Sequence, residues 1–104
     1  MPKSGDVVIT RVQFVDSGGS KIRPALVLFE ELGNIIIAGI TTNLQMKGIP
    51  ISATEGAAQD SMIKLNYIFT VTSDAILKTV FHLSPAKKRL VFDRLNERLE
   101  GFKE

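Results

Sequence analysis

The sequence predicts a mainly β protein that ends in one helix, an α+β domain built on a small, strongly curved barrel or sheet. Several short runs rich in β-branched residues indicate strands. Glycine- and asparagine-containing turns separate these runs, and helical periodicity occurs only at the end of the chain. A chain of 104 residues is long enough for one core, so we expect a single domain over residues 1–104.

The first half of the chain contains three predicted strands, at residues 6–14, 25–29 and 34–41. The first has β-branched side chains on alternate positions, and residues 16–20 after it have the composition of a loop. The third begins with three consecutive isoleucines, so we expect it to lie in the centre of the sheet. A turn that ends in Gly33-Asn34 joins the second and third strands.

The second half contains shorter strand signals, at residues 49–51, 60–72 and 76–83. Pro50 restricts the first of these to an edge or a bulge, because proline cannot donate a ladder hydrogen bond. Asn66 indicates a kink in the long strand, and residues 73–75 have the composition of a turn or a single helical turn. Phe14, Phe29 and Phe69 are expected in the core. If the protein binds a nucleic acid, Tyr67 is therefore the candidate for stacking on an unpaired base.

A helix closes the chain, with Ser84 as its predicted N-cap and Pro85 in its first turn. Gly101 is the expected stop. The predicted apolar stripe consists of Leu90, Val91, Leu95, Leu99 and Phe102. Charged residues, Lys87 among them, are expected to face water, and the mixture of acids and bases favours a solvated face over a nucleic-acid-binding one.

Composition excludes several classes of function. The chain has no cysteine and a single histidine, which rules out disulfides and a zinc site built from cysteine and histidine, and we expect no metal and no cofactor. Thirteen basic and eleven acidic residues give a net charge of only +2, so any contact with nucleic acid must come from locally arranged cations. Neither a membrane-spanning run nor a secretory signal is visible, and a cytoplasmic protein without a membrane partner is expected.

The segment 18–29 carries the most specific signal, because a glycine loop leads directly into Arg23-Pro24 and then into an apolar strand. Proline biases the preceding residue toward extended geometry, so the chain itself partly sets the direction of Arg23. A cation at such a junction is a plausible phosphate contact. The alternative is an ordinary surface arginine at the start of an edge strand.

The sequence resembles the PemK/MazF-type toxins over nearly its whole length. The matching positions, in order, are Gly5-Asp6-Val7-Val8, Phe14 and Asp16, Gly19-Ser20-Lys21, Arg23-Pro24-Ala25-Leu26-Val27-Leu28, Ile40-Thr41 and Asp60-Ser61. The segment 48–59 matches no motif of that family that we can identify, although this region usually helps to choose the RNA sequence in its members.

The resemblance implies an SH3-like antiparallel barrel, usually dimeric, in the toxin component of a type II toxin–antitoxin system. Such toxins cut single-stranded RNA at short sequences without a metal ion, and a cognate antitoxin, expected here to be acidic, blocks them. The family's catalytic arginine and threonine correspond to Arg23 and Thr41 in this sequence. A homodimer is therefore expected from the resemblance alone.

The chemistry of the two residues fits metal-free cleavage by a 2′-hydroxyl. An arginine fork matches the oxygens of the phosphorane and stays charged, whereas a threonine hydroxyl is too weak a base and is expected to orient the phosphate or the 2′-hydroxyl. Arg23 can also relay a proton to the leaving oxygen. Ser20, Lys21, Thr42, Asn43 and Ser61 are the candidate substrate-binding residues, and each also has an ordinary interpretation as a loop, turn or strand-capping residue.

Three alternatives remain open. A toxin of the same fold that poisons DNA gyrase would use C-terminal residues that include a tryptophan, but this chain has none and ends Gly101-Phe102-Lys103-Glu104. An SH3-like module that binds a peptide would need an aromatic groove, and only 7% of the residues are aromatic. An inactive family member could survive as a binding protein. His82, the single histidine, is expected to be structural, because histidine-based ribonucleases generally use a pair.

Overall fold

The computed structural model describes residues 2–13 and 19–104. Phe14 and most of the predicted loop at 16–20 lie outside the described residues. The strands are β1 Asp6–Gln13, β2 Ser20–Glu31, β3 Asn34–Thr41, β4 Ile49–Ile51, β5 Ser61–Thr72 and β6 Ile76–His82. The helix α1 covers Pro85–Leu99, and 3₁₀ turns occupy Ala53–Glu55, Ser73–Ala75 and Glu100–Lys103.

Within the described part of the chain, the strands form one antiparallel sheet in the order β4-β5-β3-β2-β1-β6. The sheet curls strongly into a half-barrel, and α1 packs against one of its faces. This confirms the predicted fold class and the central position of β3. No helix among these residues is long and apolar enough to cross a membrane.

The strand predictions differ most from the structure at β2. Strands β3 and β4 have the predicted bounds, whereas β2 runs from Ser20 to Glu31 rather than over 25–29. Its first half pairs with β1 and its second half with β3, so backbone pairing extends it beyond its apolar segment. A two-residue turn at Leu32 and Gly33 joins β2 to β3, with φ of 54° and 85°. These positive φ values are what a type I′ hairpin turn requires.

The sheet is buried on both faces, and two clusters of apolar side chains form the core. One cluster lies between the sheet and α1, and it includes Val7, Leu26, Ile63, Leu83 and Val91. The other lies inside the curl and consists of Val8, Ala25, Val27, Ile35 and Ile37, with Phe69, Val71 and Ile76 packed against it. Neighbouring residues such as Val7 and Val8 enter different clusters because side chains alternate along a strand.

A break in register accompanies the curvature of β5. Ala38 on β3 pairs with Ile68, but the next residue, Gly39, pairs with Lys64. The three residues between, Leu65 to Tyr67, therefore lie outside the regular ladder, which confirms the kink predicted at Asn66. Such irregularities bend a strand and redirect its side chains.

The start of α1 is as predicted, since the Ser84 hydroxyl accepts a hydrogen bond of 3.2 Å from the Lys87 amide and Pro85 is the first helical residue. The side chain of Lys87 was predicted to face water, and this is wrong. Its Nζ donates to the Pro50 carbonyl oxygen at 2.6 Å and lies 3.4 Å from Glu55. A lysine at this position connects the first turn of the helix to β4 and the 3₁₀ turn after it.

The end of the helix also differs from the prediction. Leu99 and Phe102 were expected to continue the apolar stripe, but they are 55% and 88% exposed. Phe29, expected in the core, is 49% exposed. The helix ends at Leu99 and Gly101 lies in the 3₁₀ turn that follows. These exposed side chains extend past the edge of the core because α1 covers only part of the sheet.

A short polar chain joins β1, β6 and α1. His82 Nδ1 donates to Asp6 Oδ1 at 2.8 Å, and Lys88 Nζ donates to His82 Nε2 at 3.1 Å. The Lys3 amide donates to the other Asp6 oxygen at 2.9 Å. Burial alone would raise the pKa of Asp6, but the bonds from His82 and Lys3 outweigh it and lower that pKa. The contacts of His82 are those expected of a structural histidine.

We predict that Asp6→Asn destabilises the fold at neutral pH by about 1–3 kcal/mol, because His82 and the Lys3 amide lose a charged acceptor. A lowered carboxyl pKa contributes stability above the ordinary aspartate value of about 3.9 and loses it as pH falls through the folded-state value. The difference in free energy of unfolding between wild type and Asp6→Asn should therefore shrink below about pH 4. Urea unfolding at several pH values measures this. Asp93→Asn, which removes an exposed partner of Arg89, is the control, and an unchanged difference down to the lowest pH would contradict the prediction.

Candidate functional site

The pairing of β2 with β3 brings Arg23 and Thr41 together. Ala25 pairs with Gly39 at the end of the described ladder. Continued for two residues beyond this last pair, the same register aligns Arg23 with Thr41, and the two-residue period assigns their side chains to the same face. Both residues line one open cleft of about 240 Å³.

The cleft combines a cation, a hydroxyl and aromatic rings. Its lining consists of Val12, Arg23, Pro24, Gly39, Ile40, Thr41, Met46, Lys64, Tyr67 and Phe69. No carboxylate is among these residues, and no acidic group of the described chain forms an ion pair with Arg23. Thr10 on β1 is the residue paired with Arg23, and its hydroxyl donates to the Ala75 carbonyl oxygen at 3.1 Å. The exposed guanidinium of Arg23 is therefore available to an anion.

The Thr41 hydroxyl is oriented by the loop that follows β3. Its Oγ1 accepts a hydrogen bond of 3.1 Å from the Asn43 amide, and Asn43 Oδ1 accepts one of 3.1 Å from the Gln45 amide. The Met46 amide completes the loop by donating to the Asn43 carbonyl at 3.1 Å. This N–H occupies one lone pair of Oγ1, so the hydroxyl proton and the second lone pair of Thr41 remain available to a ligand in the cleft.

Tyr67 provides a fixed, half-exposed aromatic surface in the cleft. Its ring lies against Gly39, where an added Cβ would come within 2.8 Å of the Tyr67 Cδ2. Phe69 contacts it edge-on with ring centroids 5.4 Å apart, and the Lys64 Nζ lies 5.4 Å from its centroid. The side chain nevertheless remains 49% exposed. A ring held this way can stack on an unpaired base.

Two of the predicted substrate-binding residues lie at the start of β2. Ser20 pairs with Gln13 and Lys21 with Val12, and both side chains are exposed. Lys21 shares the sheet face of Arg23, because the two are separated by one residue of a strand. Lys21 and Arg23 are therefore two successive cations on one face of β2, and Arg23 is the one that lines the cleft.

Thr42 and Ser61 lie at a different cleft, of about 450 Å³, whose lining is mainly apolar. The Ser61 hydroxyl donates to the Gln59 carbonyl at 2.9 Å, and the residue is 5% exposed. This contact is the one expected for strand capping. This cleft shares Pro24 and Ile40 with the cleft of Arg23 and Thr41, and a substrate-binding role for Thr42 and Ser61 stays a prediction. Asn43 contributes to the site through the loop that orients Thr41.

Sequence reasoning did not identify Gly39, Met46 or Lys64 as parts of the site. Gly39 is indistinguishable in sequence from any glycine near the end of a strand. Lys64 becomes its neighbour only through the register of β3 with β5. No signal in the sequence specifies that register, because the two strands are separated by a long connection.

The described residues contain no group of three or more histidine, cysteine or acidic side chains that could hold a metal ion. The chemistry available in the cleft is instead that of a guanidinium, a hydroxyl and an ammonium group. Such groups bind and polarise a phosphodiester by hydrogen bonding and charge.

Residues 3–99 match the family model of PemK-like, MazF-like toxins of type II toxin–antitoxin systems. The chain belongs to this family. The resemblance inferred from the sequence is thereby confirmed, and membership implies an antitoxin partner. A comparison with curated proteins finds no significant match.

Among solved structures, the fold is similar to that of the Mycobacterium tuberculosis toxin MazF-mt6, with a TM-score of 0.76. The two sequences are 20% identical, and the match covers 91% of this chain and 96% of the other. At this identity the similarity concerns the fold. It supports the curled sheet and terminal helix described above.

We predict that Gly39→Ala displaces the ring of Tyr67, because the new methyl group would overlap it. Tyr67 is the only tyrosine, and the chain has no tryptophan, so its emission reports this cleft alone. The substitution should change the intensity of tyrosine fluorescence and its quenching by iodide. Gly101→Ala is the matched control, because nothing lies within 4 Å of a Cβ at that position. Identical quenching in the two variants would contradict the prediction.

Proposed function

We propose that this toxin is a metal-independent endoribonuclease that cleaves single-stranded RNA at short sequences, and that the toxin domain spans residues 1–104. The observation that carries the proposal is the position of Arg23 and Thr41 on one face, in one cleft without a lining carboxylate. Membership of the toxin family supports the same conclusion. An RNA substrate of this kind also implies action in the cytoplasm.

In the proposed reaction, the ribose 2′-oxygen attacks the adjacent phosphorus while the bond from phosphorus to the 5′-oxygen breaks. The products are a 2′,3′-cyclic phosphate and a free 5′-hydroxyl, so no water is consumed in this step. The Arg23 guanidinium donates to the non-bridging oxygens, on which negative charge accumulates in the phosphorane. A well-placed donor of this kind contributes about 3–4 kcal/mol to the transition state.

Thr41 acts as a hydrogen-bond donor in this proposal and not as the base. Its oxygen accepts from the Asn43 amide, which leaves the hydroxyl proton to hold the phosphate or the nucleophile in place. Solvent then takes the proton of the 2′-hydroxyl, and water or Arg23 relays a proton to the leaving oxygen. General acid–base groups usually supply about 10²–10⁴-fold, so a site without a dedicated base is expected to turn over slowly.

The cleft favours a single strand over a duplex. Tyr67 offers a ring face beside Arg23, and a base can reach it only when it is unstacked from its neighbours. Stacking on an aromatic side chain contributes about 1–3 kcal/mol per base. Ser20 and Lys21 on β2 and Asn43 in the loop are the nearest additional candidates for contacts to the RNA.

An exposed apolar face supports the proposed homodimer. Phe29, Ile68, Phe92 and Leu99 are between 46% and 58% exposed, and they line a cleft of about 550 Å³ between α1 and the sheet. Contiguous exposed apolar patches are typical of interaction surfaces. The patch includes side chains from both the helix and the sheet. In a two-fold dimer the patch of one copy would cover the same patch of the other.

The proposed antitoxin is acidic and covers the RNA-binding cleft. Its carboxylates would neutralise Lys21 and Arg23, the cations on the β2 approach. Binding of such a segment should weaken as salt increases, and it should compete with RNA.

We predict that Arg23→Ala lowers the rate of RNA cleavage in chelator by at least about 10²-fold, because the phosphorane loses its donor. Arg23→Lys should restore only part of the rate, since a lysine lacks the planar fork. Thr41→Ala should reduce the rate and Thr41→Ser should largely preserve it. Cleavage of a long, weakly structured RNA, followed by end-group analysis for the cyclic phosphate, measures these effects.

Lys78→Ala and Thr79→Ala on β6 are the matched controls, since both side chains are exposed and neither lines the cleft. Cleavage that survives Arg23→Ala would contradict the assignment of the site. No cleavage by wild type, together with inhibition of gyrase, would instead favour the second class of toxin. Peptide binding without either activity would favour a binding module.

For the homodimer, we predict that Phe92→Lys shifts the protein to monomers, because it buries a charge in the proposed apolar interface. Sedimentation equilibrium measures the change in molar mass. Phe102→Lys is the matched control, because Phe102 is 88% exposed and does not line the apolar cleft. A wild-type protein that remains monomeric at high concentration would contradict this part of the proposal.

A further inference from the structure

A second, larger cleft of about 640 Å³ adjoins the cleft of Arg23 and Thr41. Met46 and Lys64 line both, so the two clefts are neighbours that share part of their walls. The larger cleft lies between the second half of α1 and the segment that contains β4 and the start of β5. We call it the basic cleft, and its lining consists of Met46, Lys47, Gly48, Ile49, Met62, Lys64, Leu65, Asn66, Arg94 and Arg98.

The charged side chains of the basic cleft are all positive. They are Lys47, Lys64, Arg94 and Arg98, and no acidic residue lines the cleft. Among the residues that the structure describes, none of these four takes part in an ion pair. Elsewhere on the helix and its C-terminal turn, Lys87, Arg89 and Lys103 each lie within ion-pair distance of a carboxylate. Lys88, the remaining cation of the helix, contacts His82. The basic cleft thus groups cations for which the described residues provide no carboxylate.

The two arginines are arranged to repel one another. Arg94 and Arg98 are four residues apart on α1 and therefore occupy the same helical face. Like charges at this spacing destabilise a helix. A bound polyanion would remove this penalty, because each guanidinium would gain a phosphate.

Lys64 connects the two clefts through the register of the sheet. It pairs with Gly39 on β3, while Met62 pairs with Thr41. Lys64 is therefore adjacent to the strand end that carries Thr41, and its Nζ lies over the Tyr67 ring. Lys64 lines the cleft of Arg23 and Thr41 as well as the basic cleft, where Lys47, Arg94 and Arg98 are the other cations.

We propose that the basic cleft binds the phosphates of nucleotides that flank the cleaved bond, as a continuation of the single-stranded RNA site. This inference rests on the proposed function, because it assigns the scissile phosphate to Arg23. RNA is the occupant that this arrangement favours, because the shared residues Met46 and Lys64 put four cations beside the proposed position of the scissile phosphate. It makes Arg94 and Arg98 substrate-binding residues on a helix whose mixed charge, judged from sequence, favoured a solvated face.

The test uses oligonucleotides of randomised sequence with 2′-O-methyl groups throughout, which cannot be cleaved because the nucleophile is blocked. Fluorescence anisotropy measures the binding of a 4-mer and a 12-mer as a function of salt. We expect wild type to bind the 12-mer more tightly. Arg94→Ala/Arg98→Ala should weaken the 12-mer about tenfold and leave the 4-mer unchanged. The slope of log K against log salt should fall by about 1.4, since each phosphate contact to a single strand contributes about 0.7.

Two variants separate the cleft from general charge effects. Arg94→Lys/Arg98→Lys keeps both charges and should restore most of the salt slope. Lys78→Ala/Lys103→Ala removes the same total charge from outside the basic cleft and should leave the 12-mer affinity nearly unchanged. An equal loss in this control would overturn the inference, because the effect would then be one of net charge.

Two further results would contradict binding of RNA in the basic cleft. The inference fails if wild type binds the 12-mer no more tightly than the 4-mer. It fails as well if Arg94→Ala/Arg98→Ala binds the 12-mer normally and loses affinity only for the antitoxin, which would make the cleft a protein site. Cleavage by wild type and its loss in Arg23→Ala test the proposed function separately. Tight, arginine-dependent binding of the 12-mer without cleavage would support the basic cleft and reject the nuclease.

Discussion

The register between β2 and β3 is the constraint on which the rest of the site depends. Burial on both faces of the sheet specifies it strongly, because Val27 and Ile37 enter one core cluster while Leu26 and Ala38 enter the other. A slip of one residue would exchange the two faces of a strand and expose its apolar side chains. The same slip would move Arg23 away from Thr41. Core packing, which involves neither functional side chain, therefore determines which groups share the cleft.

Curvature contributes the second part of the site. The irregular residues of β5 allow the strand to follow the half-barrel, and they bring Tyr67 back onto Gly39. The absence of a side chain at Gly39 is what permits this close approach. The aromatic surface beside Arg23 thus depends on Gly39 in β3 and on the register break in β5. Neither feature supplies a group that could take part in catalysis.

Much of the fold was predictable because its signals are local. The isoleucine run gave the bounds of β3, and Ser84-Pro85 gave the start of α1. Two predictions that required knowledge of neighbours were wrong. Phe29 was expected in the core and Lys87 in water, but their environments are set by how far α1 extends over the sheet and by the Pro50 carbonyl beside it.

In the candidate site, too, some residues were found from the sequence and others only from the way the strands and the helix pack. Arg23 and Thr41 came from the resemblance to a family, and their opposition across two strands follows from the structure. Lys64, Arg94 and Arg98 could not be grouped from sequence, because β5 and α1 meet at the basic cleft only after the sheet has formed. Thr42 and Ser61, which were also candidates, line a neighbouring cleft that shares Pro24 and Ile40 with the site.

The turn at Leu32 and Gly33 has a consequence for the order of assembly. It closes the two strands that carry Arg23 and Thr41 with only two residues, so the entropy lost in forming this hairpin is small. Hairpins form in about 1–10 µs, far faster than the pairing of distant strands such as β1 with β6. We therefore expect the hairpin that bears the two candidate catalytic groups to form locally, ahead of the long-range closure of the half-barrel.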